Sequence, residues 1–315
     1  MRVTRLGACA AILLTASCSS ESVNPESAPS FSSSAAVEDG PVSVQLARIN
    51  DSLAALGLTI AVQKAEFVLA PTAPVPASGQ IVFANDRAKR LTSRWVPNDA
   101  RRAADGNRIT YMNVTPFLAA NGAGNAELGI DNAFATWDGM KCTSLDIVKR
   151  PWNGGNPSVI LPVAGLPAVS PFSADIVTMG YLPGFIFDAV LGPGASTSVL
   201  GATFTFVFLE SAGGPPTDID GDGRTDTAIK EVWYNNDFDW TLSGLGNDID
   251  VETVALHENG HALELGHYGK IFGTVSNLTL HVAPRAVMNA AILATLRSPK
   301  GTDNAGHCGN FENWP

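Results

Sequence analysis

A mixed α/β domain of the α+β type is what the sequence predicts, and three observations carry the prediction. Short runs rich in Ile, Val, Tyr and Phe recur from residue 109 to residue 234 with the alternation or continuous apolarity of strands. Two stretches, about 124 to 139 and 250 to 265, keep helical spacing over three or more turns. Strands of this number need an apolar cover, and those two helices are the long segments available to supply it.

The elements follow in chain order. Arg2 and Arg5 form a positive leader and Leu6 to Ser17 a short apolar run closing on small residues, the pattern of an export signal spanning 1–17 and too short to cross a bilayer. Leu14-Thr15-Ala16-Ser17-Cys18 resembles the lipobox of bacterial lipoproteins, with Thr15 where that pattern prefers an aliphatic residue. Two processing routes fit: lipidation of Cys18, which gives an envelope-anchored protein, or ordinary signal cleavage, which gives a secreted one. Residues 18–40 are rich in serine, with Pro25 and Pro29, and read as a flexible linker.

An N-terminal unit, 41–104, comes next. Leu46, Ile49, Leu53 and Leu56 keep a helical period that stops at Gly57, and Leu58, Ile60 and Val62 alternate as a strand does. Pro71, Pro74 and Pro76 then punctuate a polar stretch without a clear period. This unit is either a pro-segment or a permanent part of the fold, and it holds no cysteine that could cap a metal. The main domain, 105–315, opens with a strand at 109–114, followed by a helix on which Ile130, Ala133, Phe134 and Trp137 share one face. Further strands are expected at 145–148, 174–179, 203–209 with Phe204, Phe206 and Phe208 on one face, and 229–234.

The chain has 315 residues, enough for a substantial core, and a formal charge of -10 from 20 basic and 30 acidic residues. Removal of residues 1–17 takes two arginines and no acid, which moves the charge from -10 to -12. No basic stripe tracks a phosphate backbone, so nucleic acid is excluded as a partner, and membrane contact is confined to the lipid that Cys18 would carry. Cys142 and Cys308 remain once Cys9 and Cys18 are assigned to the leader and anchor; in an exported chain an even pair predicts a disulfide.

Five histidines occur in the chain, and three fall in His257-Glu258-Asn259-Gly260-His261-Ala262-Leu263-Glu264-Leu265-Gly266-His267. Asp248 and Asp250 are good N-caps for a helix there, Glu252 suits its positive end, and its apolar residues cover most sides, so the helix is buried. Residues four apart lie about 6 Å from each other on one face, which lets His257 and His261 present two imidazoles to one zinc ion. Glu258 flanks that position without binding it, where its carboxylate can take a proton from water. A helix continuing through residue 267 would carry His267 too far along its axis. Gly266 is free to take positive φ and to end the helix, returning His267 as a third ligand and leaving a fourth position open for catalysis.

This stretch resembles the metzincin signature H-E-x-x-H-x-x-G-x-x-H, and Thr253-Val254-Ala255-Leu256 before it is similar to the matrixin subgroup. Every fixed position agrees except Glu264, which stands where the family has the glycine at which the active-site helix turns. Glu at positive φ would cost on the order of 1 kcal/mol, unless the turn moves to Gly266. Ala283-Pro284-Arg285-Ala286-Val287-Met288-Asn289 is similar to the metzincin Met-turn, which places Met288 beneath the histidines, and no tyrosine directly follows Met288. The resemblance implies a metzincin-like twisted mixed sheet with two long helices and a C-terminal subdomain. It also implies a monomeric zinc endopeptidase that cleaves protein or peptide substrates lying across a cleft.

A second metal is signalled by Asp218-Ile219-Asp220-Gly221-Asp222-Gly223-Arg224-Thr225-Asp226. Asp218, Asp220, Asp222 and Asp226 could offer oxygens to calcium, but Ile229 replaces the carboxylate that closes an EF-hand, and a solvated Asp/Gly turn fits the same residues. Two rivals to the peptidase remain. One is an envelope lipoprotein that holds zinc, binds a partner and no longer cleaves. The other is a hydrolase with Glu264 as third ligand, which lies a further 4.5 Å or so along the axis from His261.

Overall fold

A computed structural model describes residues 41–73, 91–103, 106–162, 173–274 and 279–315. The expected leader, Cys18 and the whole Ser-rich linker, 18–40, lie outside the described residues. The fold is mixed α/β of the α+β type, as the strand and helix patterns predict. Its strands are β1 (Ile60–Leu69), β2 (Ser93–Arg94), β3 (Ile109–Asn113), β4 (Ala119–Ala120), β5 (Gly124–Asn125), β6 (Ile147–Lys149), β7 (Ile176–Leu182), β8 (Val199–Phe208), β9 (Thr225–Asn235), β10 (Trp240–Thr241), β11 (Ile249–Asp250), β12 (Lys270–Thr274) and β13 (Thr279–Ala283). The α-helices are α1 (Pro41–Ala55), α2 (Glu127–Asp138), α3 (Gly184–Leu191), α4 (Ala195–Ser198), α5 (Val251–Ala262) and α6 (Gly301–Phe311).

Seven strands make one mixed sheet in the order β1-β8-β9-β7-β3-β6, with β2 added to β9. Pairs β3/β6, β3/β7, β7/β9 and β2/β9 are parallel, while β8 runs antiparallel to β9 and to β1. Parallel strands covered on both faces are apolar throughout rather than alternating, which is why β7 and β9 carry almost unbroken buried runs. One face packs Tyr111, Ile176, Leu200, Val232 and Tyr234 under α2 and α5. The other packs Met112, Val177, Phe204, Phe206 and Trp233 under α1 and α3. The alternation at Phe204, Phe206 and Phe208 therefore marks one buried face, as expected, although β8 begins four residues earlier than its pattern shows.

The two long helices anticipated are α2 and α5, both of 12 residues, but α1 at 15 residues is the longest described. Strand β1 is also longer than the alternation at 58–62 suggests: ten residues, paired with β8 from Ile60 to Leu69. The segment read as a pro-segment or subdomain thus contributes two strands of the main sheet, β1 and the short β2. No described helix is long and apolar enough to cross a membrane.

Cys142, just beyond α2, is bonded to Cys308 on α6 across 166 positions of sequence. Closing so long a loop removes much of the freedom of the unfolded chain, so replacing both cysteines with alanine should lower unfolding free energy by about 2–5 kcal/mol in urea titrations. An unchanged midpoint would show that the bridge contributes nothing.

Next to this bridge, His307 stacks on Trp137 at 5.3 Å and lies tilted against Phe311 at 5.0 Å, fully buried, with neither ring nitrogen hydrogen-bonded among the described residues. Burial pushes its pKa down to about 4 from an ordinary 6.5. Between those values the unfolded chain takes up a proton that the folded chain refuses, so stability falls as pH drops through the window. A phenylalanine at 307 removes the slope. His307→Phe should gain about 2 kcal/mol over the wild type at pH 5 beyond any gain at pH 8, because 1.5 pH units lie inside the window. Thermal melts at both pH values measure this, and an equal difference at both would refute it.

Candidate metal centre

Helix α5 starts where its capping residue predicts. The Asp250 carboxylate accepts from the Thr253 N–H at 2.9 Å and from its hydroxyl at 2.6 Å, satisfying a backbone donor at the helix start. Arg297 pairs with Asp250 from outside, and these bonds hold the Asp250 carboxyl below its ordinary range against the opposing effect of burial, the largest single influence on it. Every residue of α5 but Glu252 is buried, so the helix runs through the core, as its all-round apolar sequence requires.

The C-terminal end of α5 departs from expectation. Gly266 is not at positive φ; the reversal occurs at Glu264, with φ 65. Leu265 N–H donates to the Gly260 carbonyl at 2.9 Å and Glu264 N–H to the His261 carbonyl at 3.0 Å, closing the helix at Ala262. The left-handed conformation is held because the Glu264 side chain is captured. Its carboxylate accepts from Ser93 at 2.7 Å, Thr227 at 2.5 Å and Lys230 Nζ at 3.1 Å, all buried. Further bonds reach the same turn from the Trp95 indole to the Ala262 carbonyl and from Asn310 to the Glu264 carbonyl. Burial lowers the Lys230 pKa, and the Glu264 charge raises it in opposition. Glu264 therefore faces the sheet and is not in the histidine cluster.

The turn at Glu264 brings His267 back onto His257 and His261. The three Nε2 atoms lie 3.0 Å, 3.1 Å and 3.3 Å from one another. His257 Nδ1 donates to the Val287 carbonyl and His261 Nδ1 to the Leu265 carbonyl, each at 2.7 Å. With Nδ1 carrying the proton, both Nε2 atoms present lone pairs, and two lone pairs 3.0 Å apart repel unless a cation lies between them. A tetrahedral zinc site with Zn–N near 2.0–2.1 Å separates its ligand nitrogens by roughly 3.3 Å, so the donor set fits that ion in chemistry and spacing. Burial pushes His257 down to about 3 and His267 to about 4, and His261 well below its ordinary value; in each case burial is the first cause. Neutral imidazoles are the form a metal binds.

Several side chains that support the cluster carry no sequence motif. Asp303, at the start of α6, accepts from Val287 N–H at 3.0 Å and Met288 N–H at 3.1 Å, fixing the strip of backbone whose carbonyl orients His257. A Cβ at Gly260 would collide with Met288 Sδ, which places Met288 against the helix beside Gly260. A glycine inside a buried helix costs about 1 kcal/mol relative to alanine, and that cost was the available signal for a close approach at Gly260. Glu66 of β1 brings Oε2 within 3.6 Å of His267 Nδ1.

Glu258 is fully buried beside this cluster. Oε2 accepts from the Thr203 hydroxyl at 2.7 Å, and Oε1 has no hydrogen-bond partner among the described residues. Gly201 leaves room for it: a Cβ there would sit 3.0 Å from Glu258 Cγ. Burial drives the Glu258 pKa well above the usual carboxylate range, with the Thr203 bond opposing. Thr203 and Gly201, both on β8, were not legible as site residues, since only the tertiary fold brings them to α5.

At the second predicted site, Asp218, Asp220 and Asp222 are exposed and converge, but Asp226 does not join them. Asp226 is buried and accepts from Arg101 at 2.8 Å and Thr217 at 2.6 Å, so the expected four-carboxylate set is three. Arg94 donates to Asp222 at 2.7 Å, and the N–H groups of Asp222 and Gly223 donate to the Asp218 carboxylate. Arg94, on β2, is the one cation within salt-bridge distance of these three carboxylates among the described residues.

A scan of this chain against protein-family models finds no match, and a search of curated proteins finds none either.

Proposed function

We propose that this chain is a zinc-dependent endopeptidase, matrixin-like within the metzincins, working outside the cytoplasm either lipid-anchored to a bacterial envelope or secreted. One observation carries the reading: three imidazole Nε2 atoms converge within 3.3 Å of one another, next in sequence to a buried carboxylate with one oxygen unpartnered among the described residues. His257, His261 and His267 would hold the ion. Zinc bound there supplies Lewis acidity, polarising a peptide carbonyl and making water more acidic.

The remaining roles belong to the chain. Glu258 accepts the proton of the attacking water at Oε1, while Thr203 fixes Oε2 and so the orientation of the carboxylate. The same oxygen returns the proton to the departing amine. Val287 and Leu265 carbonyls hold the imidazoles in the ligating tautomer. The disulfide supports an oxidising compartment. Calcium enters this reading only at Asp218, Asp220 and Asp222, as a stabilising ion without part in hydrolysis. The rival binding module drew on disturbance of the turn by Glu264, and the captured Glu264 carboxylate removes that motive.

Metal analysis of purified protein, combined with mass-spectrometric mapping of the bonds it cuts in an unfolded protein mixture, tests the proposal. Stoichiometric zinc and cuts abolished by chelator are expected. Zinc-loaded protein that produces no chelator-sensitive cut would refute the enzyme reading.

A further inference from the structure

The groups assigned to chemistry are sealed in: His257, His261 and Glu258 are 0% exposed and His267 is 2% exposed. A peptide cannot be cut at a centre it cannot touch. Strand β1 is one of the elements that closes it. Along one edge β1 pairs antiparallel with β8, with Glu66 opposite Thr203 and Val68 opposite Gly201, the two β8 residues that contact Glu258. Along its other edge, Leu69 N–H donates to the Ala290 carbonyl at 3.0 Å and Ile292 N–H to the Leu69 carbonyl at 3.1 Å, a parallel bridge to the chain just past Met288. Between these clamps the Glu66 carboxylate reaches His267.

An extended segment hydrogen-bonded on both edges beside a hydrolytic centre occupies the path a substrate backbone would take. Without β1, β8 is the edge strand of the sheet, its main-chain donors and acceptors open next to Glu258. Exposed edges of this kind bind extended peptides by adding a strand. We infer that β1 is an intramolecular stand-in for substrate: it fills the β8 edge across the metal centre, and an extended peptide must displace it to be cleaved. The inference rests on the peptidase reading for its consequence but not for its geometry.

Two measurements test it on the zinc-loaded full chain. In the first, amide hydrogen exchange is followed with excess synthetic peptide of the sequence Ile60 to Leu69, against a scrambled peptide of the same composition. The native-order peptide should speed exchange of the chain's own β1 roughly tenfold, leave β9 unchanged, and exceed the scrambled control. Identical exchange with both peptides would overturn the inference. The second is Leu69→Pro, which removes the bond to Ala290 while leaving the ladder to β8. It should raise cleavage of an unfolded protein roughly tenfold at equal zinc content. A folded Leu69→Pro protein with faster β1 exchange and wild-type cleavage would also overturn it. Should the native-order peptide displace β1 while zinc-loaded wild type and variant both leave every peptide bond intact, strand replacement stands and the peptidase reading falls.

Discussion

Glu258→Ala should bind zinc as tightly as the wild type and lose essentially all chelator-sensitive cleavage. The separation is possible because Glu258 lies outside the converging nitrogens: its carboxylate is tied to Thr203 on β8, whereas the His257 and His261 imidazoles are held by the Val287 and Leu265 carbonyls and His267 Nδ1 faces Glu66. Removing a positioned general base costs about 10²–10⁴-fold in rate. His261→Ala should behave differently, losing metal and activity together, because it deletes one ligand and frees the turn carbonyl that the ligand engages. Metal content by elemental analysis and turnover on an unfolded substrate, measured on the same preparations, read both effects. A Glu258→Ala protein that cleaves at the wild-type rate would remove Glu258 from the mechanism, whatever its zinc content.

Much of this centre can be read in the sequence because its main parts are local. His257 and His261 are one helical turn apart, His267 follows within six residues, and capping by Asp250 requires only the next turn. Strands β3, β7 and β9 show through as well, since burial on both faces leaves near-continuous apolar runs. What stays hidden is set by distant partners. The turn at Glu264 is decided by Ser93, Thr227 and Lys230, which lie 171, 37 and 34 positions away. Local propensity favours glycine there and pointed to Gly266, which offers no such contacts. Asp226 looks like one more carboxylate in an Asp/Gly turn until Arg101, 125 positions earlier, claims it. Strand β1 reads as five residues because Lys64 and Glu66 break the apolar alternation; Glu66 is buried against His267 and pairs with Lys64, and hydropathy cannot distinguish a buried polar side chain from a solvated one.

The buried pair Lys230–Glu264 yields the other large effect. Replacing Glu264 with glycine relieves a left-handed backbone that glycine adopts without strain, a gain on the order of 1 kcal/mol. Glu264→Gly should nonetheless destabilise the protein. Lys230 is fully buried, and Glu264 is its one charged partner within salt-bridge distance among the described residues. Without it, Nζ keeps only the Thr205 hydroxyl and a long contact to the His261 carbonyl. Breaking a buried pair by removing one member costs about 3–5 kcal/mol, because the other charge stays desolvated or must give up its proton. The net loss is then roughly 2–4 kcal/mol, seen as a lower midpoint in urea. Lys230→Met combined with Glu264→Gly should recover most of it, since the cost belongs to the orphaned ammonium and not to the turn. A single Glu264→Gly variant as stable as the wild type would mean that the pair is no more favourable than the strain it offsets, and the turn would then need another explanation for carrying glutamate.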